Sequence, residues 1–358
     1  MNEFGVKYRI GIFGSSHGLC IGAKVEGCPP GSKISEALIQ VELDRRSPGR
    51  GPISTTRRER DRLEIVSGII DGRATGGPIV GLVRNFDTDS SAYDAFKRVP
   101  RPGHADYPAM VKYGGHHDHR GGGQFSGRMT AGLVIGGAIA RQLLERKGVS
   151  ILAQTVQIGT IALEKDVPFS IAEKIVRASA VGCADRRTAA AMTEAIVKAH
   201  EANDSIGGIV RCTVLGLPVG VGEPFFGSIE SVVSAMMYSI PGVKGVEFGS
   251  GFKCASMRGS EHNDPYIIRN GKILAKTNNA GGILGGLSNG MPVEFRVAFK
   301  PTSSIAKPQA SVDVVDKKPV ELEIKGRHDP CIVPRAVPVV ENSAAAVILD
   351  LMLQGGFV

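Results

Sequence analysis

Apolar and polar residues alternate over residues 6–13 and again over 21–26. A period of two predicts a pair of strands flanking a glycine-bearing turn. Ser35 stands where an N-cap belongs, and the spacing after it predicts a helix through Leu43. Residues 63–69 and 78–83 read as strands. From 85 to 127 the periodicity gives way to Gly, Pro, His and Arg. A connection of that length inside a compact chain is usually functional. A helix is predicted over about 127–147, stopped by Gly148. A strand follows at 151–158, then helices at 171–180 and 187–202, a strand at 209–215, and a helix at 229–238 ended by Pro241. The last third reads as strands at 266–274, 293–299 and 320–324, with a closing helix at 343–353. Helices and strands interleave without a strict βαβ rhythm, which predicts α+β layers rather than a doubly wound sheet. No low-complexity linker divides the chain, so one domain is expected. TGGPIV at 75–80 and SNGMPV at 288–293 each lead into a predicted strand, a short internal echo that hints at a duplicated sheet.

Composition narrows the chemistry. The 358 residues are 42% hydrophobic and 22% charged, which is globular. Net charge is +8, which favours anionic partners. Seven arginines fall within residues 45–62: Arg45, Arg46, Arg50, Arg57, Arg58, Arg60 and Arg62. Such a run is by default a solvated face, and nucleic acid is one partner it would suit. Aromatics are only 5% with no Trp, which argues against a base-stacking platform. Six scattered cysteines form no C-x-x-C pair, which predicts a reducing, cytoplasmic setting and no disulfide framework. The apolar stretch near 129–144 carries Arg141 and is too short to span a bilayer.

Neither a P-loop nor the G-x-G-x-x-G spacing of a dinucleotide site is present. Several short motifs nevertheless carry anion or proton chemistry. FGSSHG at 13–18 puts His17 at a strand end among glycines, where it can act as an acid or base near neutral pH. RPGHAD at 101–106 sets Asp106 two residues from His104, close enough to orient its ring. His116, His117, Asp118 and His119 match no common metal-ligand spacing and read as a solvated or anion-facing loop. KPTSS at 300–304 offers an ammonium, hydroxyls and backbone amides suited to a phosphate or a flavin head group. AGGILGG at 280–286 allows either a flat ligand against the backbone or tight sheet packing.

These motifs, with DRRSPG at 44–49, RGGG at 120–123, GRHDPC at 326–331 and RAVP at 335–338, occur in one order from residue 13 to 338. In that order the chain resembles the chorismate synthases. The resemblance implies a β-α-β sandwich that assembles as a homotetramer. It also implies conversion of 5-enolpyruvylshikimate 3-phosphate to chorismate and phosphate, the last step of the shikimate route, by an anti-1,4-elimination that requires reduced FMN without net redox change. A separate flavin reductase is the expected source of reduced FMN, although some members reduce their own flavin with NAD(P)H.

Carried over by motif, His17 would protonate the departing phosphate and His104 would steady the flavin's charge. Asp329 would assist removal of the ring proton beside the flavin, with Ser16 and Ser126 in support. Arg46, Arg50, Arg101, Arg128 and Arg327 would hold substrate anions. Gln124, Phe125, Ser126, Pro241, Gly242, Gly285, Lys300, Pro301, Thr302, Ser303, Ser304 and Arg327 would line the FMN. The stretch 120–129 reads RGGGQFSGRM where the family usually reads RGGGRSSARE, so Gln124, Phe125 and Met129 depart from the pattern while Ser126 and Arg128 keep it. Those departures leave a catalytically impaired flavoprotein as an alternative, beside a nucleic-acid-binding protein.

Overall fold

Two five-stranded antiparallel sheets enclose a layer of helices. The computed structural model of the protein describes residues 2–47, 53–54, 61–86, 90–324 and 328–358. The first sheet contains β1 (Glu3–Phe4), β2 (Arg9–Gly14), β3 (Cys20–Glu26), β4 (Leu63–Ser67) and β7 (Ile79–Arg84), in the order β1-β2-β3-β7-β4. A hairpin of β5 (Ile69–Ile70) and β6 (Arg73–Ala74) leads into β7. The second contains β8 (Ser150–Ile158), β9 (Ile161–Ala162), β10 (Gly208–Leu215), β11 (Val243–Phe248) and β16 (Val293–Phe299), in the order β11-β16-β10-β8-β9. Three further hairpins decorate this frame: β12 (Tyr266–Arg269) with β13 (Lys272–Ala275), β14 (Ile283–Leu284) with β15 (Leu287–Ser288), and β17 (Gln309–Asp313) with β18 (Lys318–Leu322).

The middle layer exists because two helices are buried on nearly every side. In α3 (Thr130–Glu145) all but the last residue is buried, and in α8 (Val333–Gln354) the buried set includes Glu341, Asn342, Ser343 and Asp350. A helix apolar all round must lie inside a fold. α3 packs on β2, β3 and β7, α8 on β8 and β10, and the two helices pack on each other. Gly137 permits their close crossing, because a Cβ there would lie 2.1 Å from the backbone oxygen of Asn342. α1 (Glu36–Arg46) packs on both central helices, and α6 (Ile229–Tyr238) packs on α8 and β11. α4 (Phe169–Ala178) and α5 (Arg186–Glu201) cover β8, while α2 (Asp106–Lys112) and the single turn α7 (Gly259–His262) lie in connections.

The polar residues of α8 are satisfied inside the layer. The Asp350 carboxylate accepts the backbone N–H groups of Val6, Lys7 and Tyr8 at 3.0, 2.7 and 2.8 Å, which ties the chain's first turn to its last helix. Glu341 accepts from Arg45 at 3.0 Å and from Arg141, and Arg141 also reaches Glu42. Burial pushes the Glu341 carboxyl up, but the two guanidinium groups outweigh it and hold the group down at about 2. An ionised carboxylate with two cationic partners is therefore at home in the core.

Several sequence expectations change at this level. The strand expected over 6–13 begins only at Arg9, because residues 6–8 turn onto Asp350. The strand expected at 63–69 stops at Ser67, before Gly68 with φ +87°. The single strand expected at 266–274 is a hairpin, reversed at Asn270 and Gly271, both with positive φ, as a tight antiparallel turn requires. Residues 85–127 are not structureless: Ser91–Lys97 and Arg120–Phe125 form 3-10 turns, and α2 lies between them. The closing helix starts ten residues before the expected 343, since Pro334 sits in its first turn and Pro338 is accommodated within it. β1, β9, β11 and β17 escaped the periodicity. The helix at 127–147 is replaced by α3, entered through a short turn at Gly127–Met129. The internal echo has a structural counterpart: each copy leads into the second strand from one edge of a five-stranded sheet, β7 or β16.

Candidate active site

His17 sits in the turn between β2 and β3, 8% exposed. Its Nδ1 lies 2.8 Å from Ser90 Oγ, and its ring meets Tyr93 edge-on at 5.0 Å. Neighbouring Ser16 donates to the backbone oxygen of Gly121 at 2.9 Å, and Ser15 donates to Asp118 at 3.2 Å. The turn is thereby docked on the glycine loop at 121–123. All three glycines have positive φ. At Gly121 there is also no room for a side chain, because a Cβ would lie 2.1 Å from His17 Cδ2 and 2.6 Å from Ser16 Oγ.

The next glycine of the same loop faces the second histidine: a Cβ on Gly122 would lie 3.3 Å from His104 Nε2 and 3.8 Å from Ser126 Cβ. His104 Nδ1 is 2.6 Å from Asp106 Oδ1, as the spacing of RPGHAD predicted. Asp106 also takes the Arg101 guanidinium bidentately, at 2.8 Å to each oxygen. Burial pushes the Asp106 carboxyl up; hydrogen bonds from Arg101 and His104 outweigh it and hold the group well below the usual range. Arg101 stacks over Phe96 at 4.5 Å and donates to Ser304 at 3.2 Å. Its fork is thus committed to organising His104 and the KPTSS loop.

That loop completes the corner. Lys300 donates to the backbone oxygen of Gly103 at 3.0 Å and stands 3.5 Å from Ser303 Oγ. Thr302 donates to the backbone oxygen of Asp329 at 2.9 Å, and its own carbonyl accepts from Ser205. Burial, then the charge of Lys244, lowers the Lys300 ammonium from its ordinary value. Among the described residues no carboxylate pairs with Lys300. A half-buried cation answered, among the described residues, by one carbonyl and one hydroxyl suits a phosphate. Gly242 holds the same loop, accepting from the Lys300 amide at 2.9 Å.

A third cluster gathers the arginines. Arg46 and Arg128 converge on Asp61, Arg46 through Nη2 at 2.5 Å and Arg128 through Nη1 at 2.9 Å. Asp329 pairs with Arg335, and Arg335 also donates to the Arg46 backbone oxygen at 3.0 Å. The carboxylate is therefore linked to the arginine cluster rather than standing apart. The expected solvated face is overturned at Arg45 and Arg46: Arg45 is largely and Arg46 almost wholly covered, each against carboxylates.

Not every expected contact gathers here. Gly285 lies at the exposed tip of the β14–β15 hairpin, whose Ile283 and Ser288 are buried, while Gly281 and Gly282 before it pack at the start of β16. Lys300 follows the other end of that strand, roughly 20 Å away at the usual rise per residue. Gln124 is exposed, and the Phe125 ring lies 6.5 Å from Tyr113. Ser126 caps the turn before α3 by accepting from the Arg128 amide. Arg50 and Arg327 lie outside the described residues, as does the arginine stretch 55–60. Sequence reasoning missed Asp61, Asn85, Ser90 and Arg335. Asp61 was hidden as one of two acids, with Glu59, in a basic run, whereas Arg335 was already visible in the RAVP motif.

Comparison with known proteins gives the family. The chorismate synthase family model matches residues 8–353. The chain belongs to the chorismate synthase family. A chorismate synthase of Methanococcoides burtonii is 47% identical over 357 residues, covering 100% of this chain and 97% of the relative. That of Korarchaeum cryptofilum is 48% identical over 353 residues, covering 98% and 97%. A crystal structure of a chorismate synthase superposes with a TM-score of 0.78 at 28% identity, covering 98% of this chain and 93% of that one. The β-α-β layering is therefore that of the chorismate synthase family, and the nucleic-acid alternative falls.

Proposed function

We infer that this chain, as one catalytic domain, acts as a carbon–oxygen lyase. It eliminates phosphate from 5-enolpyruvylshikimate 3-phosphate to give chorismate, the closing step of the shikimate route. The observation that carries this reading is the loop at 121–123, which sets His17 against Gly121 and His104 against Gly122, beside an ammonium without a carboxylate partner among the described residues. In the reaction the C3–O bond breaks, a ring hydrogen leaves as a proton, and a new C=C bond closes the diene. Bound reduced FMN supplies electron density transiently, with no net redox change. His17 donates the proton that the departing phosphate needs. Its Ser90 contact holds the ring, and Ser16 fixes the turn that carries it. His104, oriented by Asp106, faces the flavin, and Asp329 receives or relays the ring proton while Arg335 keeps it placed. Lys300 and the hydroxyls of Thr302, Ser303 and Ser304, with Pro301, Pro241, Gly242 and the 124–126 segment, line the FMN. Arg46 and Arg128, with Arg50 and Arg327, hold the substrate's phosphate and carboxylates.

The enzyme works as a cytoplasmic homotetramer supplied with reduced FMN by a separate reductase. The test is anaerobic incubation with reduced FMN and 5-enolpyruvylshikimate 3-phosphate, following chorismate formation. Turnover is expected in the wild type, and His17→Ala should lower it by roughly 10²–10⁴. No chorismate from folded, FMN-loaded wild type would favour the impaired flavoprotein that Gln124, Phe125 and Met129 suggest.

A further inference from the structure

Asn85 directly follows β7, whose last residue, Arg84, pairs with Cys20 of β3. Its side-chain nitrogen donates to two backbone oxygens, that of Ser15 at 3.0 Å and that of Gly18 at 2.8 Å. Its own backbone N–H donates to the oxygen of Leu19 at 3.1 Å. On the other side Oδ1 accepts from Arg128 Nε at 2.6 Å. These partners fix which way the amide faces. A flip would set its oxygen against two carbonyls and its N–H groups against a guanidinium.

The three carbonyls so held belong to the turn that carries His17. Within that turn the Gly18 amide donates to the Ser15 oxygen at 3.1 Å, and the ladder between β2 and β3 ends at Gly14 and Ile21. The hydroxyls of Ser15 and Ser16 dock the turn on Asp118 and Gly121. Asn85 grips it from the sheet, on both sides of the histidine. Arg128 lies in the short turn that enters α3, so the amide is itself braced against the helical layer. Only a primary amide of this reach offers two donors to the turn and one acceptor to the guanidinium. We propose that Asn85 is a positioning residue for His17: it fixes both ends of the turn relative to the sheet and to the entry of α3, and so sets where the imidazole stands. The inference rests on the reading of His17 as the proton donor. Asn85 carries no proton in the reaction and acts through the histidine.

Asn85→Asp separates the two sides of the amide. A carboxylate keeps the acceptor that Arg128 uses and loses both donors that the turn uses. The experiment uses the full-length protein with reduced FMN under anaerobic conditions. It measures kcat and KM for chorismate formation in the wild type, Asn85→Asp, His17→Ala and the double variant, with melting followed by circular dichroism. The expected kcat of Asn85→Asp is lower by about 10²-fold, the cost of a reacting group misplaced by about an ångström, with KM kept within about threefold. In the His17→Ala background the same substitution is expected to change kcat by less than about twofold, because groups that act as one unit are not additive. A residue that only holds the fold lowers kcat alike in both backgrounds. Equal losses in the two backgrounds therefore overturn the proposal, as does wild-type kcat in Asn85→Asp. Should Asn85→Asp not fold, Asn85→Ala takes its place in the cycle with the same outcomes. Hydrogen exchange of the segment 13–21 reads the turn without turnover: exchange about tenfold faster than wild type is expected, and unchanged exchange overturns the proposal. A wild type that makes no chorismate sinks the functional reading instead, and the exchange alone then decides whether Asn85 sets the turn.

Discussion

Gly121 shows how much a missing side chain can decide. Its φ of +59° favours glycine, and its closest neighbours are the ring of His17 and the hydroxyl of Ser16. A methyl group there has to displace the histidine or unwind the loop. Gly121→Ala is therefore expected to lower turnover by about 10²-fold, the cost of a reacting group misplaced by an ångström. FMN binding through Lys300 and Ser303, neither of which a Cβ on Gly121 would meet, should survive. Steady-state turnover beside an FMN titration checks this, and normal turnover would show that the His17 position is not set by the loop. The glycine triplet was plain in the sequence, as were both histidines. What each glycine touches was not, because His17 and Gly121 meet only after about a hundred residues of intervening chain have folded.

Among the elements, α3 and α8 set the core. Both are buried almost all round, so their crossing depends on how closely the backbones approach. At Gly137 the approach leaves no space for a Cβ beside Asn342. Gly137→Ala gains helix propensity but must push the helices apart, and overpacking of a filled core costs about 1–3 kcal/mol. A melting curve or urea titration measures the difference, and a stabilised variant would mean that the crossing has slack. The interior of α3 was easy to anticipate from its apolar run. The first ten residues of α8 were not, since Pro338, Glu341 and Asn342 look like breakers or surface residues until their partners are known. Glu341 becomes a core residue only because Arg45 and Arg141 arrive from α1 and α3.

Across the molecule, the buried carboxylates couple stability to pH. Folding lowers Asp61 from an ordinary 3.8 to about 2, and Glu341 from 4.5 to about 2. A depressed carboxylate contributes its full stability above the ordinary value and loses it as pH falls through the folded value. Stability should therefore hold near neutrality and drop progressively between about pH 4.5 and 2. Melting temperatures taken across that range test the sign. A flat profile would mean that these carboxylates are not ionised in the folded core.

The amino-acid pattern was enough to establish the class of chemistry and most of the framework. Alternating strands, a buried apolar helix, and ordered short motifs rich in Arg, His and Gly are local properties, and local properties survive in one dimension. It was also enough to pair His104 with Asp106, two residues apart. The pairings that organise the rest are long-range: Arg45 with Glu341 across 296 residues, Arg128 with Asp61 across 67, Arg101 with Ser304 across 203. No periodicity encodes such partners, because a charged residue looks the same whether it meets water or a buried counter-charge. Folding divided the arginine run, sending Arg45 inward to Glu341 and Arg46 to Asp61. It also carried Gly281 and Gly282 to the opposite end of β16 from Lys300. Desolvation and close packing act only once the sheets have closed over the helices, and those forces decide which of the many cations are left to meet an anion.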